Sequence, residues 1–483
     1  MPPKSPRLLV VILVLALWGL MTHGTYAGTG DDLHYEIMAH SLAFDRDLDL
    51  TNNYSASGSI AFGDDVDPSV HVRPGKDGRL RPLHDVGLPV LFTLYYAVAY
   101  KITEEIVEHV PGSWLQRAKL NFRVILRHLL SLAMIGITAW LGVTLFRVFT
   151  EMSNSPAKAF AWAALLVLSP PLLSMSSLFF TEILTAFVAL RVFLWLRTPS
   201  TGRFGAVTAG AATGYLFLLH ARNVGLTAGL LVLAAYRSRR WPDGRARLGS
   251  FLSGAAALFL VRTAVTFHFW GTWVTTPDAR LDMAAPFVLE SLTRLAGWLF
   301  DQEHGLLAYA PVYLLLPAGW LALWKRDREF CVEISAIVAA CIAVVTVPIF
   351  NIHGWRGGWS PAARYLVPIT PLLGILVFSA AAHVRRLPVL VIGLIVLQVS
   401  LDAIVWQRPK LLWNDGVGTS ALLSYLDGGT GWLSSFFPSL VAPIGPWTIA
   451  MIISLAIAWV IITAWVISSS AATRPTAASM VAD

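Results

Sequence analysis

The sequence predicts an all-α protein threaded repeatedly through a membrane, and three observations predict it. Of 483 residues, 56% are hydrophobic and 13% charged, whereas soluble globular chains carry roughly a quarter charged residues. Apolar segments close to the ~20 residues that a bilayer core demands recur almost to the C-terminus. Arginines crowd into the short stretches between those segments, as topology signals do. A membrane β-barrel would show short alternating strands instead of long apolar runs.

Read in order, the apolar segments fall at 8–21, 124–147, 158–178, 181–197, 205–220, 223–236, 248–270, 306–324, 330–350, 365–382, 387–406 and 447–468, about twelve spans. Lys4 and Arg7 precede the first, which also fits a signal peptide. No A-x-A site follows it, so an uncleaved span with a cytoplasmic N-terminus is expected. A further stretch, Val86–Ile102, is apolar enough to raise the question of a thirteenth span. Spanning there would put RSRRWPDGRAR (Arg237 to Arg247) outside, against the positive-inside rule. A surface or re-entrant helix keeps that loop, WKRDR (324–328) and Arg385-Arg386 on the cytoplasmic side. Both termini are then inside, and the tail 471–483, small and polar, is expected to be a disordered cytoplasmic end.

The whole chain, 1–483, thus reads as one integral-membrane domain. Its large outer loop, about 22–123, carries amphipathic interfacial helices. Smaller outer loops follow at 271–305, 351–364 and 407–446. The net charge of +7 sits in loops as topology signal, so nucleic acid is not an expected partner. Cys331 and Cys341 lie within one apolar segment, matching neither a disulfide framework nor a zinc site.

Chemistry is expected on the outer face, because the cytoplasmic loops are short and carry little besides charge. The stretch GTGDDLHYEIMAHSLAFDRDLDL (Gly28–Leu50) is the most acidic run and directly follows the first span. Leu33, Ile37, Met38, Leu42 and Phe44 approximate helical spacing, which places Asp31 and Asp32 at a helix start. Capping the exposed N–H groups would account for one carboxylate. Two adjacent carboxylates tend to raise one pKa, which suits a proton acceptor. His34 and His40, six apart, do not form an i, i+4 zinc pair. A hard divalent cation on Asp31, Asp32 and a distant acid is the metal arrangement left open, with Glu182 of SSLFFTEILTAF as that acid. Its alternative is a polar helix cap. His84 and Asp85, His220 and Arg222, Asp301, Glu303 and His304, and Arg356 and Arg364 fall on the same side. Arginine outside opposes the topology signal. Bidentate binding of a phosphate is a reason for it, and anchoring in the headgroup layer is the other.

The pattern resembles the GT-C superfamily of membrane glycosyltransferases, which includes protein O-mannosyltransferases and aminoarabinose transferases. The residues that carry the likeness are the Asp31-Asp32 pair, the HDVGLP segment before the surface helix, LSPPLLSMSSLFFTEILTAF, and the late segments GLLAYAPVYLLL and GWSPAARYLVPITPLL. The resemblance implies inverting transfer of a sugar from a polyprenyl-phosphate donor to a glycan, lipid or protein acceptor on the periplasmic face of a bacterial inner membrane. It implies a first-loop aspartate as base, with Asp32 the choice and its neighbour Asp31 the close alternative. Tyr35, His84, Asp85 and His304 would line the sugar or acceptor pocket. Arg222, Arg356 and Arg364 would hold the lipid phosphate. Family members differ in using a metal, so Mg or Mn on Glu182 is the cofactor the resemblance allows.

Two rival classes make different demands. A transporter or flippase places ionisable groups near the bilayer midplane, for which Arg262 is the candidate and Asp402 lies near an outer end. A polysaccharide polymerase or ligase would use a large late outer loop, and 407–446 is modest.

Overall fold

The computed structural model describes residues 6–23, 31–54, 71–198, 202–273, 287–346, 354–358, 360–382, 387–441 and 444–472. The tail expected to be disordered lies, from residue 473 on, outside them.

All twelve apolar segments are helical in the described residues. Among the described residues, five helices are long and apolar enough to cross a membrane: Phe122–Ser153, Gly244–Trp270, Arg328–Thr346, Val389–Gln407 and Pro446–Ser468. Caps and prolines set several ends. The Asn121 side chain accepts from Val124 N at 2.9 Å to start the first of these. Ser155 caps the Pro156–Val167 helix, whose proline sits in the first turn.

Three segments read as continuous spans are broken instead, each at proline, which lacks the N–H a helix interior needs. The segment 158–178 stops at Val167, ahead of Pro170-Pro171, and resumes only as Leu172–Met175. The segment 306–324 divides into Leu306–Tyr309, Pro311–Leu315 and Leu316–Arg326. The segment 365–382 begins as a 3-10 turn, Arg364–Ile369, containing Pro368, before Thr370–Ser379. Broken helices leave unpaired backbone groups, which protein must satisfy where no water reaches. These breaks border the site described below.

The helices Arg203–Leu219 and Gly244–Trp270 pack along their length. A side chain at Gly210 would strike the Phe251 carbonyl, and one at Gly254 the Val207 carbonyl. Small residues let two backbones approach this closely in a membrane.

The two ends of the helical body differ. At the predicted cytoplasmic end, Glu333 accepts from Arg197 and Arg237, and Arg240 pairs with Glu329. Lys158 Nζ donates to the carbonyls of Ala381 and Ala382. The other end carries the first loop. There a helix, Asp31–His40, runs into a π turn, Ser41–Asp45. An antiparallel hairpin follows, pairing Val72–Pro74 with Leu80–Pro82 in the register Val72↔Pro82. A 23-residue helix, Gly87–His109, comes next and is not among the five apolar enough to cross. It buries Leu88, Phe92, Tyr96 and Ala99 while Leu91, Leu94, Val98 and Ile102 are exposed. That one-sided apolar face is what a helix lying in an interface needs.

The helix Asp31–His40 corrects the expectation of an amphipathic interfacial element. Residues Asp32 to Ala39 are all buried. Among them are Asp32, His34 and Glu36, groups almost never enclosed unless paired.

Candidate functional site

The two carboxylates at the start of that helix diverge. Each reaches a distant segment, and neither acts as a simple cap. Asp31 Oδ2 accepts from Arg364 Nη2. Asp32 Oδ1 accepts from Phe179 N at 2.7 Å, in the turn that the broken segment leaves before the Thr181–Arg197 helix.

Arg364 is the hub. Its Nε donates to Glu182 Oε1 at 2.6 Å and its Nη1 to Gly357 O at 3.2 Å. Arg222 Nη2 donates to the same Glu182 oxygen. Its guanidinium lies 4.5 Å from the Tyr365 ring, and that of Arg364 lies 4.6 Å from the Phe180 ring. Glu182, open from sequence between cation ligand and helix cap, is thus held between two guanidiniums. Two positive charges already on the carboxylate oppose a third. Two arginines and two carboxylates leave the group neutral overall, which lets it be buried.

His84 and Asp85 sit just before the Gly87–His109 helix. Gly87 fixes that start, because a Cβ there would lie 2.6 Å from the Leu218 carbonyl oxygen. Tyr215 holds the same point, donating to Gly87 O at 2.8 Å. Asp85 Oδ2 accepts from Ala221 N at 2.6 Å and Oδ1 lies 3.2 Å from Arg262 Nε. Arg262, the one charge expected deep in a span, is therefore paired with the outer loop. His220 Nδ1 accepts from Arg222 N at 3.2 Å, which fixes the backbone that carries the second arginine.

A hairpin histidine completes the site. His71 Nδ1 is 2.8 Å from His84 Nε2, and the His34 ring stacks on His71 at 3.3 Å between centroids. His34 Nδ1 meets the Tyr54 hydroxyl. Tyr35 packs 5.2 Å from His84, ring to ring, and its buried hydroxyl has no hydrogen-bond partner among the described residues.

Electrostatics separate the two aspartates. Burial would raise Asp31, but Arg364, with His84 assisting, holds it well below the usual carboxylate range. Asp32 is raised by burial and by Asp31, against Arg127 and the Phe179 N–H. One turn on, burial pushes Glu36 up to about 7; Arg127 works against this and Asp32 with it. Arg127 Nε is 3.8 Å from Glu36 Oε1. Asp31 keeps 23% side-chain exposure, whereas residue Asp32 is 2% exposed.

His304 and Arg356 form a neighbouring group. His304 O accepts from Ala363 N at 2.9 Å, one residue before Arg364. Burial and the Arg356 charge push the His304 ring down to about 4. Arg356 Nη2 donates to Val441 O at 3.0 Å. Asp301 and Glu303 pin loops. Asp301 accepts from the N–H groups of Glu303, His304 and Leu440, and Glu303 from those of Gly416 and Gly418.

Sequence reasoning missed Arg127, Glu36 and His71. The hairpin held the one available signal. HVRPGKDGRLRPLH reads as two arms around a turn, which brings His71 beside His84. Apart from that cluster, a groove of about 480 Å³ opens between helices, lined by Ala16, Leu165, Leu168, Val399 and Trp406, with Asp402 as its one charged residue.

No family model matches the chain, and no curated protein matches it. Among solved structures it is similar to the aminoarabinose transferase ArnT from Cupriavidus metallidurans, bound to undecaprenyl phosphate. Identity is 15% and the TM-score 0.49, over 97% of this chain and 78% of that one. It is also similar to the archaeal oligosaccharyltransferase AglB from Archaeoglobus fulgidus, in complex with an inhibitory peptide and a dolichol-phosphate. There identity is 13% and the TM-score 0.43, over 91% of this chain and 61% of that one. Both are GT-C superfamily members.

Proposed function

We propose that this chain is a membrane glycosyltransferase of the GT-C type. It moves a sugar, with inversion, from a polyprenyl-phosphate donor to an acceptor at the outer face of a bacterial cytoplasmic membrane. The observation that carries the reading is Arg364, a guanidinium that joins the first-loop Asp31 to Glu182 and, through it, to Arg222. A scaffold gives no reason to bury four charges from four separate segments at one end of the helices. Perturbed, enclosed titratable groups of this kind gather at functional sites.

Asp31 is the proton acceptor in this reading and Asp32 the positioning residue. Asp31 is reachable, while Asp32 is enclosed and spends an oxygen on the Phe179 N–H. The acceptor oxygen attacks the anomeric carbon as the bond from that carbon to the phosphate oxygen breaks. The acceptor proton passes to Asp31, and the phosphate departs with the bonding electron pair. Arg222 and Arg364 stabilise the charge it gains, as preorganised donors do in a water-poor site. When Arg364 turns to the donor phosphate it no longer depresses Asp31, so donor binding makes the base stronger. Tyr35 and His84 face the acceptor or the sugar. Arg356 and His304 act at the rim. The apolar groove suits a prenyl chain.

The test uses purified protein with radiolabelled polyprenyl-phosphate sugars. Asp31→Asn is expected to lower transfer by a hundredfold or more, the usual cost of removing a base being about 10²–10⁴, with donor binding retained. Equal transfer by Asp31→Asn and the parent sinks the reading. Transmembrane movement of the donor without transfer would favour a flippase.

A further inference from the structure

We infer that the groove beside Asp402 binds an amphiphile that carries a primary ammonium on a hydrocarbon chain. The groove, about 480 Å³, lies between the Val389–Gln407 and Pro156–Val167 helices, with Ala16 of the Pro6–Thr22 helix at one side. Its walls are apolar, among them Leu165, Leu168, Val399 and Trp406. No lysine or arginine lines it, and Asp402 is its one charged residue.

A carboxylate within an apolar span is costly and is kept where it has a partner to meet. Glu182, Asp85 and Glu333 each face a guanidinium. Among the described residues Asp402 meets two neutral donors instead, Ser169 Oγ at 2.6 Å and Gln398 Nε2 at 2.9 Å. The first of these is shared. Ser169 Oγ also lies 2.6 Å from Leu165 O, and one hydroxyl carries one proton. When that proton serves Leu165 O, Asp402 Oδ2 needs another donor, and the groove is the side from which one can come.

Size and walls choose the ligand. An α-helix is roughly 10 Å across, so a length of about 6 Å would already fill this volume. A partner helix is too thick for it. A hydrocarbon chain fits, as in ligand pockets of about 300–1,000 Å³. A hydrated metal ion would leave the walls unmet, and a phosphate would face a carboxylate. A primary ammonium brings three donors and a charge, and charge-assisted hydrogen bonds are the strong ones. Asp402 lies five residues from the C-terminal end of its helix, about 8 Å along the axis. Trp406, one turn on, suits the headgroup layer, so the ammonium stays near water while the chain runs inward along the groove.

The competing arrangement is a brace. Gln398 Oε1 accepts from Val312 N at 3.3 Å, and Ser169 precedes Pro170-Pro171, so Asp402 would only tie two broken helices together. Binding does not depend on the transfer reading. On that reading the amphiphile occupies the walls suited to the donor's prenyl chain, and it therefore inhibits transfer.

The test is equilibrium binding of radiolabelled hexadecylamine to the full-length protein in maltoside micelles, with uptake by protein-free micelles subtracted. One saturable equivalent is expected. Asp402→Asn can keep the hydrogen bonds to Ser169 and Gln398 but carries no charge. It should weaken binding by about tenfold or more, the worth of a hydrogen bond to a charged group. On the parent, which needs no variant, hexadecanol and hexadecyltrimethylammonium should each bind more weakly than the amine, the first lacking charge and the second lacking N–H donors. No saturable uptake, amine binding unchanged in Asp402→Asn, or hexadecanol binding as tightly as the amine would each overturn the proposal. Amine binding without sugar transfer would count against the glycosyltransferase alone; transfer without amine binding would count against this site alone.

Discussion

Asp31 and Arg364, 333 residues apart in the chain, form an ion pair at one end of the helical body, and Arg364 is 6% exposed there. The pair ties the first loop to the turn that opens the Thr370–Ser379 helix. It also holds the Asp31 carboxyl well below the usual carboxylate range, against the burial that would raise it.

Removing the hub should be costly. Arg364→Ala leaves Asp31 and Glu182 without their shared counter-ion, and an orphaned buried charge typically costs about 3–5 kcal/mol. Thermal unfolding in detergent should show a markedly less stable protein. Arg364→Lys should recover part of the stability but little transfer, since an ammonium cannot reach Asp31 and Glu182 with separate nitrogens.

Glu182 and Arg222 should behave as a coupled unit. Glu182→Gln and Arg222→Gln are each expected to destabilise. The double substitution should cost less than the two single costs combined, by about 0.5–3 kcal/mol. Strict additivity in the unfolding midpoints would mean the pair is not coupled.

Glu36 predicts a pH dependence whose sign is definite. Its folded pKa is raised from 4.5 to about 7, so the native state favours the neutral acid. The stabilisation is complete below the unfolded value and is lost as pH rises through about 7. Each tenfold change in proton affinity is worth about 1.4 kcal/mol, so the effect is on the order of 3 kcal/mol. Glu36→Gln should flatten the stability profile between pH 4.5 and 7.

His304 predicts the opposite slope. A histidine lowered from 6.5 to about 4 is held neutral in the fold. Its contribution is full above 6.5 and is lost as pH falls toward 4. His304→Gln, neutral at every pH, should remove that acid-side loss, read by unfolding midpoints from about pH 4 to 7.

Gly87→Ala tests placement rather than chemistry. The added methyl meets the Leu218 carbonyl, so the helix start must shift, at a typical overpacking cost of about 1–3 kcal/mol. Transfer should fall, because His84 and Asp85 move with it, while the ion pairs of Glu333 and Glu329 at the other end stay as they are.

Local pattern alone carries the membrane helices, and it points to the Asp31-Asp32 pair, with Asp32 preferred, and to Glu182, Arg222 and Arg364. Apolar run length and charge placement reflect the solvent each segment meets, so a reader of the sequence can find them. How those residues are used depends on the assembled fold. Asp31 and Asp32 are neighbours in sequence yet serve different partners, because successive side chains on a helix point about 100° apart and meet different walls. Glu182, open from sequence between cation ligand and helix cap, accepts from two guanidiniums. His71 gained meaning from hairpin register, and Arg127 from packing beside Glu36. Arg356, grouped with Arg364 from sequence, donates to the Val441 carbonyl. Sequence records which charges a membrane protein keeps at its surface. Which charge faces which is set by packing between segments hundreds of residues apart, and no local pattern encodes that.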